Sequence, residues 1–529
     1  MTRFAEVTVL SLADQPAATH KVDALVLTVQ AAESGAALTP GHDLPEESDA
    51  HLAALLTALD ATGRVDDVHV VALVPGITAA KVVLAGISPK NGPAAEADAG
   101  SVRLGVGAAL STLGTVESVA VAVPGDHVRS AAEGARLGSY TFTAHKSPAT
   151  AADPKSTRAP RRGASTAIGA DPGAGAAAIR MLVPDAKDKE VKAELARADV
   201  VAEATAYARD LVNTPPNLLF PASFVESVQH RVDTGKADIE VVVHDEKKLA
   251  RLGCGGILGV GQGSSRPPRI MELHYQPKRK ARGRIAFVGK GITFDTGGVC
   301  IKPAASMLTM KCDMAGAAVA AAAVLAAAEL KLPVAVSAYL CLAENMPGGN
   351  AQRPGDVVTM RSGTTVEIID TDAEGRMVLA DGMTLAVEAG ADAVIDIATL
   401  TGACMVALGT KVGGVMANDE SLSEKVLAAA TEAGEAMWPL PLPEDLRAKL
   451  DSNVADLQHK GDQYGGALTA GLFLREFARD AEGNTVPWAH LDIAGPAYLT
   501  EPPYGHVIKG GTGFAVATLV ELAGTWASA

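Results

Sequence analysis

VGKGITFDTGGVCIKPAASMLTMKCDMAG, residues Val288–Gly316, and IIDTDAEGRMVLADG, residues Ile368–Gly382, hold acidic residues just beyond apolar, β-branched runs. Ile285–Gly289 reads as a strand covered on both faces, with Lys290 at its carboxyl end. The glycine-containing turn that follows would present Asp295. Thr365–Ile369 reads as a second strand leading to Asp372 and Glu374. Residues two apart in an extended segment point the same way, so both carboxylates would face one site. Asp313 directly precedes Ala315–Leu330, an alanine-rich helical stretch. Ligands of open α/β sheets collect outside the carboxyl ends of the strands. The two stretches therefore predict an α/β fold with its site where these strand ends meet.

The rest of the chain follows the same alternation. Val7–Leu12, Ala24–Val29, Val68–Val74, Lys81–Ile87 and Val116–Val123 read as strands, and Asp49–Ala61 and Arg103–Leu113 as helices. This predicts a smaller N-terminal α/β domain with a mostly parallel sheet, over residues 1–185. Within it, 144–175 is rich in Pro, Ala, Gly, Ser and Thr without periodicity and reads as a flexible loop. A charged helical pattern from Lys187 to Val212 is stopped by NTPPN, because two prolines cannot continue a helix. It serves as a connector into a larger second domain, 186–529, with a central mixed sheet flanked by helices. Further strands are expected at Ile239–His244, Ile270–Tyr275, Val334–Leu342, Ala393–Thr399 and Trp488–Ile493, and further helices at Met377–Ala389 and Leu422–Ala433.

Composition narrows the function. Among 529 residues, 48% are hydrophobic and 20% charged, a globular profile long enough for two domains. The net charge of -15 argues against nucleic-acid or anionic-lipid partners, which need basic surfaces. The one basic run, Lys155–Arg162, reads as a solvated loop. Five cysteines match no CxxC spacing and fit buried free thiols in a reducing cytoplasm. The N-terminus shows no signal-peptide pattern. The longest apolar run, Met314–Ala328, is shorter than the ~20 residues of a membrane span and reads as a buried helix.

Between Arg282 and Thr399 there is no histidine, so hydrolytic chemistry there falls to carboxylates, lysines and arginines. Four converging carboxylates repel one another unless cations balance them. Two divalent cations would do so, and oxygen donors with a single amine suit Zn²⁺, Mn²⁺ or Mg²⁺. Lys290 could ligate only as the neutral amine. Taken singly, an acidic residue beside glycine is a turn former, Lys302 a surface lysine and Arg376 a salt-bridge partner. Their joint occurrence at successive strand ends is what points to a dinuclear site.

These stretches resemble the leucyl aminopeptidase family, which comprises cytosol aminopeptidases and bacterial aminopeptidase A. DTDAEGR, Asp370–Arg376, is similar to the family signature NTDAEGR, with Asp370 in place of Asn. VGKGITFDTGG and MKCDMAG resemble its metal-binding stretches, and RDLVNTPPN (Arg209–Asn217), ATLTGAC (Ala398–Cys404) and HLDIAG (His490–Gly495) match further along. The resemblance runs from about Ala204 to the C-terminus; the N-terminal part carries no comparable motif. It implies that Asp295 and Glu374 bridge two metal ions, Mn or Zn, that Lys290 and Asp313 complete one and Asp372 the other. It implies that Lys302 polarises the scissile carbonyl while a metal-bridged water attacks, that Arg376 holds a bicarbonate proton shuttle, and that Met310, Thr399 and Gly402 line the pocket for the first side chain. Peptides with N-terminal Leu or another apolar residue are the implied substrates, and a cytoplasmic homo-hexamer the implied assembly. Asp370 adds a negative charge close to the metals.

Other motifs fail. GRIAFVGKG misses the P-loop spacing, GVGQGSS is too weak for a dinucleotide fingerprint, and neither HExxH nor GxSxG occurs. His274 and His490 read as core or strand-end partners. A two-metal phosphoesterase is the competing enzyme reading; a DNA-binding or assembly role, disfavoured by the acidic charge, is the competing non-enzymatic one.

Overall fold

The computed structural model describes residues 6–11, 16–33, 35–90, 97–114, 116–123, 125–145, 176–183, 185–235 and 237–526. The stretch expected as a flexible loop lies outside the described residues from 146 to 175, and with it the basic run Lys155–Arg162. The chain divides into two compact units, Met1–Asp199 with Tyr504–Val507, and Val200–Pro503 with Ile508–Ala529.

The first unit holds a seven-stranded sheet in the order Glu6–Ser11, Ala176–Val183, Val116–Ala122, Ala24–Ala32, Lys81–Gly86, Val68–Ala72, with Gly35–Leu38 paired to Ala24–Ala32. Only the pairs made by Gly35–Leu38 and Val68–Ala72 are antiparallel. The expected strands all form, within a few residues. The helix Ala99–Leu113 begins at Asp98, whose carboxylate accepts the Ser101 amide at 2.7 Å while the Ser101 hydroxyl accepts the Asp98 amide at 2.9 Å. Ala176–Val183 (AAAIRMLV) has no strand signature, with three alanines and an arginine, yet it sits inside the sheet. Its neighbours on both sides supply the ladder partners that its own propensity does not.

The second unit is built on an eight-stranded mixed sheet in the order Met437–Pro439, Gly413–Ala417, Trp488–Asp492, Ala393–Ala398, Arg284–Asp295, Ala335–Asn345, Arg269–Tyr275, Ile239–His244. Its four central strands are parallel and antiparallel strands flank them. One face is covered by Ala315–Glu329 with Glu420–Ala433 and Val516–Thr525 beyond it, the other by Gly375–Glu388, Gly255–Gly261 and Gly466–Arg475. Small side chains set the spacing on the first face. A Cβ on Gly289 would lie 2.5 Å from the Ala317 Cα, so this strand and helix pack backbone to backbone. Met310–Glu329 has the length and apolarity of a membrane span, but 89% of its most apolar window is buried inside the fold. It is a core helix, as its alanine content suggested.

Two expectations about local geometry are corrected. The Ile285–Gly289 strand extends through Gly291 to Asp295, so Lys290 lies inside the strand, opposite Cys341, and not at its end. The register shifts between Ile292 and Phe294, and Asp295 closes the strand opposite Asn345. Thr365–Glu367 does not join the central sheet; it pairs with Val357–Thr359 and Leu457–Gln458 in a separate small sheet. Asp372 then stands in a turn closed by the Ala373 amide on the Asp370 carbonyl at 3.1 Å, and Glu374 is the N-cap of the helix Gly375–Glu388. A turn followed by a helix start brings the two carboxylates together, not a shared face of an extended segment.

The packing of Gly289 on Ala317 predicts that Gly289→Ala lowers stability by about 1–3 kcal/mol through overpacking. Gly349→Ala, whose Cβ meets nothing within 4 Å, should be near neutral. Urea unfolding midpoints of the two variants check this.

Candidate metal centre

The carboxyl ends of the central strands gather a cluster of charges of which Lys290, Asp295, Asp313 and Glu374 are buried and Lys302 and Asp372 half-buried. Asp295 closes its strand; Asp313 follows the short turn Met310–Cys312; Asp372 and Glu374 arrive from the turn and helix cap just described. Lys290, buried at 3% exposure, points its Nζ at Asp313 Oδ1 at 2.7 Å, Glu374 Oε1 at 2.8 Å and the Thr399 carbonyl at 3.1 Å. Lys302 Nζ sits between Asp295 Oδ2 at 2.9 Å and Asp372 Oδ1 at 2.5 Å. Asp295 Oδ1 also accepts the Gly297 amide at 2.8 Å and the Asn345 side-chain amide at 2.7 Å. The Thr399 hydroxyl donates to Asp313 Oδ1 at 2.7 Å. Gly375 is required here, since a Cβ on it would lie 2.4 Å from Lys290 Cε. Gly297, at φ +85°, makes the reversal after Asp295 that only glycine adopts readily.

The electrostatics follow from burying so many charges. Burial, reinforced by Glu374, raises the Asp295 carboxyl to about 6 despite Lys302 and Lys290. Burial likewise holds Asp313 well above the usual carboxylate range, more than Lys290 offsets. At Glu374 burial is outweighed by Lys290 and Lys302, and the carboxyl lies below its ordinary value. Burial works against the ammonium of Lys290, but Asp313 and Glu374 overcome it; at Lys302, Asp295 and Glu374 do the same. The two ammoniums thus occupy the places where compensating cations are needed.

The residues fit a metal site. Asp295, Asp372 and Glu374 each offer an oxygen within 4.8 Å of the others. Among the described residues, Asp313 Oδ2 and Glu374 Oε2 are buried without a hydrogen-bond partner, although buried carboxylate oxygens ordinarily find one. The five residues expected as ligands, Lys290, Asp295, Asp313, Asp372 and Glu374, are brought together with Lys302. Arg376 stands two residues beyond Glu374, fully enclosed; burial lowers its pKa to about 10. Its Nη1 donates to the His459 carbonyl at 2.9 Å, and its Nε has no partner among the described residues. Thr399 bonds Asp313 and Lys290 directly, Met310 begins the turn before Asp313, and Gly402 opens the helix Gly402–Leu408 with free space above its Cα.

Sequence reasoning missed three supporting residues. Asn345, at the end of the neighbouring strand, fixes Asp295. His459 comes from far downstream: its Nδ1 accepts the Ile369 amide at 3.2 Å and its Nε2 meets the Asp370 carbonyl at 2.8 Å, with burial and Arg376 lowering its pKa to about 4. Lys460 pairs with Asp370, so the negative charge at that position meets a cation of its own. The signal for Lys460 and His459 was only an unassigned QHKGD. His490 is a core histidine, as expected: its Nδ1 lies 2.5 Å from Asp396 Oδ1, and Asp396 Oδ2 accepts the Trp488 indole at 2.7 Å. Of the five cysteines, all free, Cys300 alone is partly exposed.

Fold, site and similarity to known proteins together define an enzyme of the metallo-exopeptidase class. Residues 206–520 match the catalytic domain of the cytosol aminopeptidase family, and residues 26–149 match that family's N-terminal domain. The chain belongs to the cytosol aminopeptidase family. It is 46% identical over 521 residues to a probable cytosol aminopeptidase of Streptomyces griseus, covering 98% of both chains. A probable cytosol aminopeptidase of Micrococcus luteus is 45% identical over 487 residues, covering 90% of this chain and 91% of that one. Among solved structures, the bottromycin maturation enzyme BotP in complex with Mn is 35% identical, with a TM-score of 0.78 over 95% of this chain and 99% of that one. The second match of the family reaches into the N-terminal region where no motif was legible.

Because Asp295 titrates near 6, protons compete for the site below that pH. Mn²⁺ affinity should therefore fall at least about tenfold from pH 7 to pH 5. Gly375→Ala should weaken Mn²⁺ binding at pH 7 by displacing Lys290 while leaving the circular-dichroism spectrum unchanged. Calorimetric Mn²⁺ titrations check both.

Proposed function

We propose that this chain removes the N-terminal residue, leucine or another apolar one, from peptides, using two divalent cations, manganese or zinc. The observation that carries this reading is the convergence of Asp295, Asp372 and Glu374 within 4.8 Å beside the buried ammonium of Lys290 and the half-buried one of Lys302. Asp295 and Glu374 would be shared between the ions, with Lys290 and Asp313 completing one and Asp372 the other. Two such cations acidify a water and offset charge developing on a carbonyl oxygen.

The chain's own residues do the rest. Lys290 would give up its proton to serve as a neutral donor, for which its three close oxygen partners hold it in position. Lys302, at the less buried edge of the cluster, would donate to the scissile carbonyl oxygen where negative charge grows. The unpartnered Nε of Arg376 is suited to an anion, and Arg376 would hold a bicarbonate there that would supply a base for the attacking water's proton. The open space at Gly402, with Met310 and Thr399, would receive the first side chain.

Residues 1–185 would form the N-terminal domain and 186–529 the catalytic domain, entered through the helix Lys189–Asn213. Assembly as a homo-hexamer would cover apolar side chains such as Leu308 and Val406, which stand exposed. A cytoplasmic setting agrees with the free cysteines and with the relatives' name. The net charge of -15 speaks against a nucleic-acid or membrane partner.

A leucine anilide should be hydrolysed with added Mn²⁺ while a nitrophenyl phosphate is not; the reverse would favour a phosphoesterase. A rate survey across aminoacyl anilides then reads the pocket's preference. Lys302→Ala should lower kcat by about 10²–10³-fold with metal content unchanged. Loss of metal with activity would instead place Lys302 among the ligands. Glu374→Ala should abolish metal-dependent turnover and keep the fold; full turnover in that variant would refute the assignment.

A further inference from the structure

One short segment far downstream runs along the turn of DTDAEGR. Leu457–Gln458 pairs in parallel with Val366–Glu367, and Asp456 Oδ2 accepts the Thr365 amide at 2.8 Å and the Thr365 hydroxyl at 2.7 Å. His459 follows, 1% exposed, and its own amide donates to the Glu367 carbonyl at 3.2 Å. Its ring Nε2 lies 2.8 Å from the Asp370 carbonyl; its Nδ1 lies 3.2 Å from both the Ile369 amide and the Glu367 carbonyl. A carbonyl only accepts and an amide only donates. A single proton on Nε2 therefore serves the shortest contact and leaves Nδ1 to accept the Ile369 amide. The ring is neutral, since burial and then Arg376 bring its pKa down to about 4.

The oxygen that Nε2 holds is the one that closes the turn. The Asp370 carbonyl also accepts the Ala373 amide at 3.1 Å, while Asp370 Oδ1 accepts the Asp372 amide at 3.0 Å. On its other side the turn is tied to the Asp295 loop. There the Asn345 side-chain amide donates to the Thr371 carbonyl at 3.0 Å and the Thr371 hydroxyl to the Gly297 carbonyl at 2.6 Å. Beyond the ring, the His459 carbonyl accepts Arg376 Nη1 at 2.9 Å. One residue thus bears on both ends of the stretch from Asp370 to Arg376. The Lys460–Asp370 ion pair touches the same turn, but Lys460 is 42% exposed and water screens the pair. Inside, a hydrogen bond lost from the ring leaves its partner without one. Glu374 differs from Asp372 in being fixed by its helix start and by Lys290, neither of which involves the ring.

We propose that His459 is a positioning residue for the metal centre: its imidazole holds the turn that presents Asp372, and its carbonyl sets the Arg376 guanidinium. Ligand and guanidinium then keep one fixed relation. The purpose of that positioning rests on the two-cation reading above. The consequence is an unequal loss. When the ring nitrogens are removed, Asp372 is loosened and Glu374 is not. The ion completed by Asp372 is weakened, and the ion completed by Lys290 and Asp313 is kept.

Mn²⁺ titration of the full-length chain, with free Mn²⁺ followed by electron paramagnetic resonance, tests it. The unaltered chain should take up two ions. His459→Phe keeps a ring and lacks both nitrogens; it should bind the first ion normally and the second about 10–100-fold more weakly. His459→Gln restores one acceptor and one donor and should bring the second ion back to within about threefold of the unaltered chain. Should His459→Phe not fold, His459→Asn, which keeps an acceptor for Ile369 and does not reach Asp370, is read by the same split. Equal weakening of both ions, normal binding of both, or a Gln variant no better than Phe overturns the proposal. Amide exchange of the metal-free chain keeps the two-cation reading separate. Over residues 369–373 exchange should quicken at least about tenfold in His459→Phe, with residues 285–295 unchanged. That quickening in a chain that does not take up two ions refutes the two-cation reading alone. Unchanged exchange over 369–373 overturns the positioning role.

Discussion

Three buried carboxylates and a half-buried fourth, gathered within a few ångströms of one another, are the constraint around which the catalytic unit is arranged. Unpaired, such groups cost several kcal/mol each and take up protons instead. Lys290 and Lys302 offset part of that cost, each standing between two carboxylates. The compensation is incomplete, as the raised carboxyls of Asp295 and Asp313 and the unpartnered oxygens of Asp313 and Glu374 show. A cluster held short of neutrality by its own side chains is ready for added cations, in keeping with the metal dependence of the family.

Holding that cluster in place explains much of the local sequence. A side chain at 375 would collide with Lys290, and one at 289 would separate the central strand from the helix that follows Asp313. The alanine-rich helix has no amphipathic stripe because the sheet lies on one side and other helices on the other, and nearly all of its residues are buried. Short side chains bring its start, and Asp313 with it, close to the strand carrying Lys290. Asn345 and the Gly297 amide then fix Asp295 from two directions, leaving its Oδ2 toward Lys302.

The sheet also separates two kinds of polar place. At the carboxyl ends of the central strands charge is concentrated, mostly buried and mutually paired. At the amino end it is sparse and partly open, and Glu272, His274 and Ser337 bond to one another. The helix Gly375–Glu388 touches both, with Glu374 at its start and Ala386 near its end. One rigid element thus spans the distance between the two.

The sequence by itself determined the α/β class, most strands and helices of both units, and the membership of the carboxylate–lysine cluster. These follow from local signals: runs of β-branched residues, prolines and glycines that stop elements, and acidic residues just past strand ends. How the cluster is delivered was decided by tertiary structure. Lys290 lies inside a strand because the ladder with Ala335–Asn345 continues past Gly289, which no local propensity announces. Asp372 and Glu374 come from a turn and a helix cap because their preceding strand pairs in a small separate sheet. AAAIRMLV became an inner strand only through its neighbours, and His459 and Lys460 reached the DTDAEGR turn across about ninety residues of chain. Periodicity and composition are read over a few residues, whereas ladder pairing, close backbone approach and the balance of buried charge are set by residues distant in sequence, which only the fold brings together.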